Sequence, residues 1–218
     1  MRLIGVVASV VFAIGLAVVL AQRWGEGDRQ GTAIQAGFSP PEAVPVNTEY
    51  VRSRVLPSGD LSVEHWIRST RGIYELTLSL PPTPGNDQAE AKARTLRVES
   101  DAAPDVDSPA VGARERSYFF ARASTLHVSY ILSGVVVRSS SVADRALVQV
   151  TSVDLGITND RVPKTVVVTG GDVLAAACTT PDRNSTPRPC GNQEGTGWRV
   201  RLSASARDDR VMAQLDLP

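Results

Sequence analysis

The feature that most limits what this chain can fold into is a period-two alternation of apolar and polar residues. Leu61, Val63, His65 and Ile67 alternate with Ser62, Glu64, Trp66 and Arg68, and Tyr74, Leu76, Leu78 and Leu80 alternate with Ile73, Glu75, Thr77 and Ser79. Successive side chains of a strand point to opposite faces, so this pattern predicts half-buried strands and not helices. Val51, Ser53 and Val55 interleaved with Arg52 and Arg54 give another strand. Pro57-Ser58-Gly59-Asp60 predicts the hairpin turn between the first two runs, and Pro81-Pro82 closes the third. Further strand candidates lie at residues 95–99, 117–121, 125–132, 135–138, 146–155, 164–169, 172–178, 198–203 and 210–217, the last two reading as a hairpin. Residues 88–94 have room for one short helix. About ten short strands separated by turn signals predict an all-β domain, an antiparallel β-sandwich or open barrel.

Ahead of the domain, residues 3–21 carry no charge. As a helix this run spans about 28 Å, close to the hydrocarbon core of a bilayer. Arg2 precedes it, and Gln22, Arg23 and Trp24 follow with side chains suited to a headgroup region. The run exceeds the apolar core usual for a signal peptide, so residues 1–21 read as a retained transmembrane signal-anchor. Val19-Leu20-Ala21 keeps open the alternative, a signal peptide cleaved after Ala21 and a secreted product. Gly5, Ser9, Ala13, Ala17 and Ala21 recur at every fourth position, a spacing that lets membrane helices approach closely and would suit an accessory subunit of a membrane complex.

Residues 22–47 are rich in Gly, Pro and polar side chains and predict a flexible tether, the alternative being that its Pro-containing end docks on the domain as an edge segment. The remaining residues 48–218 are enough for one domain with a real core. Lys plus Arg and Asp plus Glu number 23 each, which gives no electrostatic case for binding nucleic acid. All but two of the Lys and Arg residues are Arg, and Ala and Val are abundant, which suggests a GC-rich bacterial origin.

Cys178 and Cys190 flank a loop rich in Pro, Ser and Thr. In an exported chain such a pair predicts a disulfide, and the disulfide in turn argues for a domain outside the cytoplasm, which the nearly even charge around the apolar run does not decide. The acidic stretch Glu99, Asp101, Asp105 and Asp107 lacks the Gly and the carboxylate spacing of a calcium loop and reads as a solvated loop. No cofactor or metal is implied.

No hydrolase elbow, zinc-protease, phosphate-loop or dinucleotide motif is present. An N-terminal anchor, a β-domain, His127, then Cys178 followed by Arg199 and Arg201 resembles the general order of the sortases, membrane-anchored Cys transpeptidases. That resemblance implies Cys178 as nucleophile, His127 as acid/base, and Arg199 or Arg201 holding the oxyanion. The run Leu174-Ala175-Ala176-Ala177 before Cys178 departs from the T-L-x-T of that family, and Leu126, not Gly, precedes His127. Trp66 shares a strand face with Glu64 and Arg68, which makes this trio the candidate contact surface unless Trp66 packs under a neighbouring loop. The leading expectation is a non-catalytic, single-pass envelope protein whose extracytoplasmic β-domain binds or braces another envelope component.

Overall fold

Alternation produces strands wherever the sequence shows it, and the computed structural model builds fourteen of them into two sheets. It describes residues 39–80, 91–102, 106–111, 115–150, 154–157, 161–181 and 185–217. The candidate membrane segment, with Gly5, Ser9, Ala13, Ala17 and Ala21, lies outside the described residues. Among the described residues no helix is long and apolar enough to cross a membrane.

The strands are β1 (Thr48–Val55), β2 (Leu61–Ser79), β3 (Lys92–Ser100), β4 (Val106–Val111), β5 (Arg116–Ser133), β6 (Val136–Arg138), β7 (Arg145–Gln149), β8 (Asp154–Ile157), β9 (Lys164–Thr169), β10 (Asp172–Thr179), β11 (Arg188–Pro189), β12 (Asn192–Glu194), β13 (Gly197–Leu202) and β14 (Arg210–Asp216). The larger sheet runs β12-β13-β9-β1-β2-β5-β3-β4, with β8 added to β2, and the smaller runs β11-β10-β14-β7-β6. One buried cluster draws on the inner faces of both: Val51, Val63, Val128, Leu132 and Val166 from the larger sheet, and Val148, Val173, Val211 and Leu215 from the smaller. Each such side chain contributes about 1.5–3 kcal/mol by leaving water.

The sheets depart from the antiparallel expectation at one pair. β1 and β9 run parallel, Glu49 opposite Lys164 through Arg54 opposite Thr169. Parallel neighbours cannot be joined by a tight turn, and the chain makes β2 to β8 before β9 returns in the same direction. The expected final hairpin is also absent. β13 pairs with β9 and β12, whereas β14 pairs with β10 and β7 in the other sheet. The turn between them (residues 203–209) crosses from sheet to sheet. Residues 92–94, suggested as part of a short helix, lie in β3, and the acidic stretch after Ser100 contains the edge strand β4.

β2 is longer than either run suggested, because the two join through a bulge. Arg68 faces Thr125 and Ile73 faces Ala123, so Ser69, Thr70, Arg71 and Gly72 stand opposite Ser124 alone. Past the bulge Ile73 keeps the inward face of Ile67, so Tyr74, expected on the core face, is exposed; a second register shift between Ile73 and Glu75 then turns Leu76 and Leu78 inward.

Candidate functional site

On the outer face of the larger sheet, cross-strand register lines up Thr165, Tyr50, Trp66, His127 and Glu99 in one row and Val167, Arg52, Glu64, Ser129 and Arg97 in the next. Trp66 stacks on His127, centroids 5.0 Å and planes 11° apart, and meets Tyr50 at a tilt on its other side. The Arg52 guanidinium lies 5.4 Å from the Trp66 ring and bonds Glu64. Trp66 is therefore 1 % exposed, despite facing away from the core. It is not an open contact residue. The alternative reading, burial under a neighbouring loop, matches the burial but not the cover, which comes from the strand residues Tyr50, Arg52 and His127.

His127 Nδ1 meets Glu99 at 3.0 Å, while Glu64 stands 3.8 Å from Nε2, an ion contact and not a hydrogen bond. Burial works against charge on the ring, but the carboxylates of Glu64 and Glu99 outweigh it and raise the His127 pKa. His127 in turn is the main cause that lowers Glu64, with Arg52 helping against burial.

Residues 42–47, assigned from sequence to the tether, lie against this domain. Glu42 forms a two-point pair with Arg199, 2.6 and 2.8 Å. Val44 is buried and its carbonyl accepts from Arg68, and Asn47 Oδ1 accepts from the Thr70 backbone and hydroxyl. The segment holds by side chains and single hydrogen bonds and not as a paired strand.

Behind β1 and β2 lies a cluster the sequence reading missed. Glu49 and His65 have no exposed side-chain surface and meet at 2.8 Å. His65 Nε2 reaches the Tyr130 hydroxyl at 2.9 Å. Lys164 and Arg207 stand 3.7 and 3.5 Å from the second Glu49 oxygen, and Arg207 also donates to the Leu155 carbonyl. Burial alone would raise the Glu49 pKa, but Lys164, His65 and Arg207 together hold it at about 2. Burial lowers His65 in spite of Glu49. The ring is therefore neutral near pH 7: Nδ1–H donates to the carboxylate, and Nε2 accepts from Tyr130. The order hydroxyl, imidazole, carboxylate matches a proton relay. Its members are sealed in the core, Glu49 and His65 with no exposed side-chain surface and Tyr130 nearly so. The signal was available: Glu49 shares the buried face of β1 with Val51 and Val55.

Cys178 and Cys190 form the disulfide, with Cα atoms 5.8 Å apart. Cys178 is 2 % exposed on β10, and Trp198 of the larger sheet donates to the Cys190 carbonyl. The sortase-like arrangement is not assembled. Cys178 lies in the smaller sheet with its thiol bonded, and His127 lies on the outer face of the larger one against Trp66. Arg199 is taken by Glu42 and Glu194, and Arg201 sits on the outer face opposite Thr165. Among the described residues no three His, Cys, Asp or Glu side chains come together to hold a metal. Within the acidic stretch, Glu99 serves His127, and Asp101 accepts from Ser124 and the Thr125 backbone.

The solvent face of the smaller sheet is different in kind. Val137, Leu147, Gln214 and Ala175 line up across β6, β7, β14 and β10, and Gln149, Met212, Ala177 and Pro189 form the neighbouring row. Leu174 is the extra residue of a bulge beside Ala175. Val137, Leu147 and Leu174 are 45 %, 45 % and 44 % exposed, and Val142 in the β6–β7 turn 42 %. Arg145 paired with Asp216 borders the rows.

No protein-family model and no curated protein matches the sequence. Among solved structures, the chain is similar to an aminopeptidase N family protein from Idiomarina loihiensis at 17% identity and a TM-score of 0.42. The alignment takes in 78% of this chain and 29% of that one.

Proposed function

We propose that this is a non-catalytic, membrane-anchored envelope protein whose β-domain binds another envelope protein through the outer face of the smaller sheet. The observation that carries the reading is the run of uncharged side chains on that face. Val137, Leu147 and Leu174 are exposed there with Gln214 and Ala175, beside the Arg145–Asp216 pair. An uncharged centre with a charged border is the anatomy of a protein–protein interface. Large apolar side chains gathered on one exposed face mark such sites far better than scattered ones.

The uncharged residues 3–21 support an anchor, and the Cys178–Cys190 bridge supports an oxidising compartment. The contacts of Glu42, Val44 and Asn47 support a display role, because they fix where the chain from the anchor meets the domain.

The test is a paired substitution, Val137→Asp with Leu147→Arg, in the full chain purified from membranes. Both side chains are exposed, so the melting temperature is expected to hold while proteins that co-purify with the wild type are lost. Unchanged co-purification at an unchanged melting temperature refutes the reading.

A further inference from the structure

The β2 bulge opens a cavity of about 400 Å3 lined by Val46, Arg68, Ser69, Thr70, Gly72, Arg122, Ser124 and Thr125. Its volume falls within the range of small-ligand pockets. The lining has two guanidiniums, four hydroxyls and no carboxylate. We propose that this cavity is a binding site for a phosphomonoester, recognised jointly by Arg68 from β2 and Arg122 from β5.

The bulge creates the site. Four residues of β2 face one of β5, which parts the strands and turns Arg68 and Arg122 into the same opening. Gly72 has a φ of +85°, and a Cβ there would come within 2.7 Å of the Arg122 stem. The bare glycine therefore lets the Arg122 side chain lie across the bulge. Arg122 has no ion pair or hydrogen bond among the described residues, whereas the other guanidinium of the cavity uses one nitrogen on the Val44 carbonyl. Arg68 keeps its remaining donors.

Two of the four hydroxyls spend their protons within the protein. Thr70 donates to Asn47, and Ser124 to Asp101. Ser69 accepts from the Arg71 backbone, which leaves its own proton to donate, and Thr125 spends only its backbone N–H, on Asp101. The Asp101 carboxylate is the nearest negative charge named by these contacts, and it is occupied by Ser124 and Thr125. Two guanidiniums and two hydroxyl donors around one opening match a tetrahedral, doubly charged oxyanion better than a planar single carboxylate. A phosphomonoester carries close to two negative charges at pH 7. The site lies on the larger sheet and does not depend on the docking face proposed above.

The test uses the full chain in a non-ionic detergent at low salt, with isothermal titration of glucose 1-phosphate against glucose. A parallel arm titrates short-chain phosphatidic acid, a lipid phosphomonoester, against short-chain phosphatidylglycerol, a diester, in the same detergent, because an anchored chain would enter vesicles of either lipid. Saturable binding to glucose 1-phosphate or to short-chain phosphatidic acid, weakened about tenfold or more in Arg122→Ala, supports the proposal and identifies a soluble or a lipid source. Arg122 is exposed, so its variant should fold, and Arg68→Lys, which keeps the charge but loses the fork, gives a second reading with a smaller loss. Binding to neither probe overturns the proposal. So does binding that Arg122→Ala leaves unchanged, measurable binding of glucose 1-phosphate that glucose equals, or measurable binding of phosphatidic acid that phosphatidylglycerol equals.

Discussion

The indole of Trp66 lies flat on the imidazole of His127, with ring centroids 5.0 Å apart, and that imidazole is held by Glu99 at 3.0 Å. A stacked, protonated imidazole quenches indole emission, so Trp66 should report the charge on His127. The His127 pKa is raised in the folded state, so the stabilising contribution is full below the unfolded value of about 6.5 and is lost as pH rises through the folded value. Emission should increase across that upper window, and the increase should disappear in His127→Gln and in Trp66→Phe. A profile that His127→Gln leaves intact would refute the assignment.

Glu49 works in the opposite direction. Its pKa is held at about 2 inside the core. The stability it supplies is present above about pH 4.3, the unfolded value, and falls away as pH drops toward the folded one. Glu49→Ala leaves Lys164 and Arg207 without their buried partner and is expected to cost about 3–5 kcal/mol. Urea unfolding at pH 7 gives the magnitude, and a flatter acid limb between pH 4 and pH 2 in Glu49→Gln checks the sign.

The bridge between Cys178 and Cys190 closes a loop with a sequence separation of 12. Removing it as Cys178→Ala/Cys190→Ala should lower stability by about 3 kcal/mol. Dithiothreitol should destabilise the wild type to a similar degree and leave the double variant unchanged. Iodoacetamide should label Cys178 only after reduction and unfolding. Rapid labelling of the native, unreduced protein would restore the transpeptidase-like reading of Cys178 and His127.

Glu42 and Arg199 form a two-point ion pair at the surface. The Arg199 hydrogen bonds lower the Glu42 pKa, but solvent screening limits what an exposed pair adds to stability to about 0–1 kcal/mol. Arg199→Ala should therefore barely move the melting temperature. It should still speed amide exchange in residues 42–47, because the pair is one of the few ties along a segment that makes no strand pairing. Unaltered exchange there would mean that Val44 and Asn47 hold the segment unaided.

Local pattern made much of this fold legible, and pairing over long distances did not. Alternation placed β9 at its observed bounds and β10, β13 and β14 to within a residue at each end. It could not tell that Glu49 and Lys164 would become parallel neighbours, because strand partners this far apart leave no local mark. The bulge at Ser69–Gly72 and the register shift after Ile73 together read as a break between two strands, since a change of face and an interruption look alike in a period-two pattern. Trp66 was legible as a residue on the outer face but not as a buried one, because its cover comes from β1 and β5 and not from its own strand. The Glu49–His65–Tyr130 chain was hidden for a related reason: each member looks like an ordinary strand residue until three strands bring them together.

Site-specific photocrosslinking in intact cells tests the central claim most directly, with the photoreactive residue placed at Leu147 or Val137 on the smaller sheet or at Arg201 on the larger. The account predicts a discrete adduct of the same size from Leu147 and from Val137, lost when Leu174→Arg is added, and no such adduct from Arg201. Adducts of equal yield from both sheets, or none from Leu147 and Val137, would contradict it.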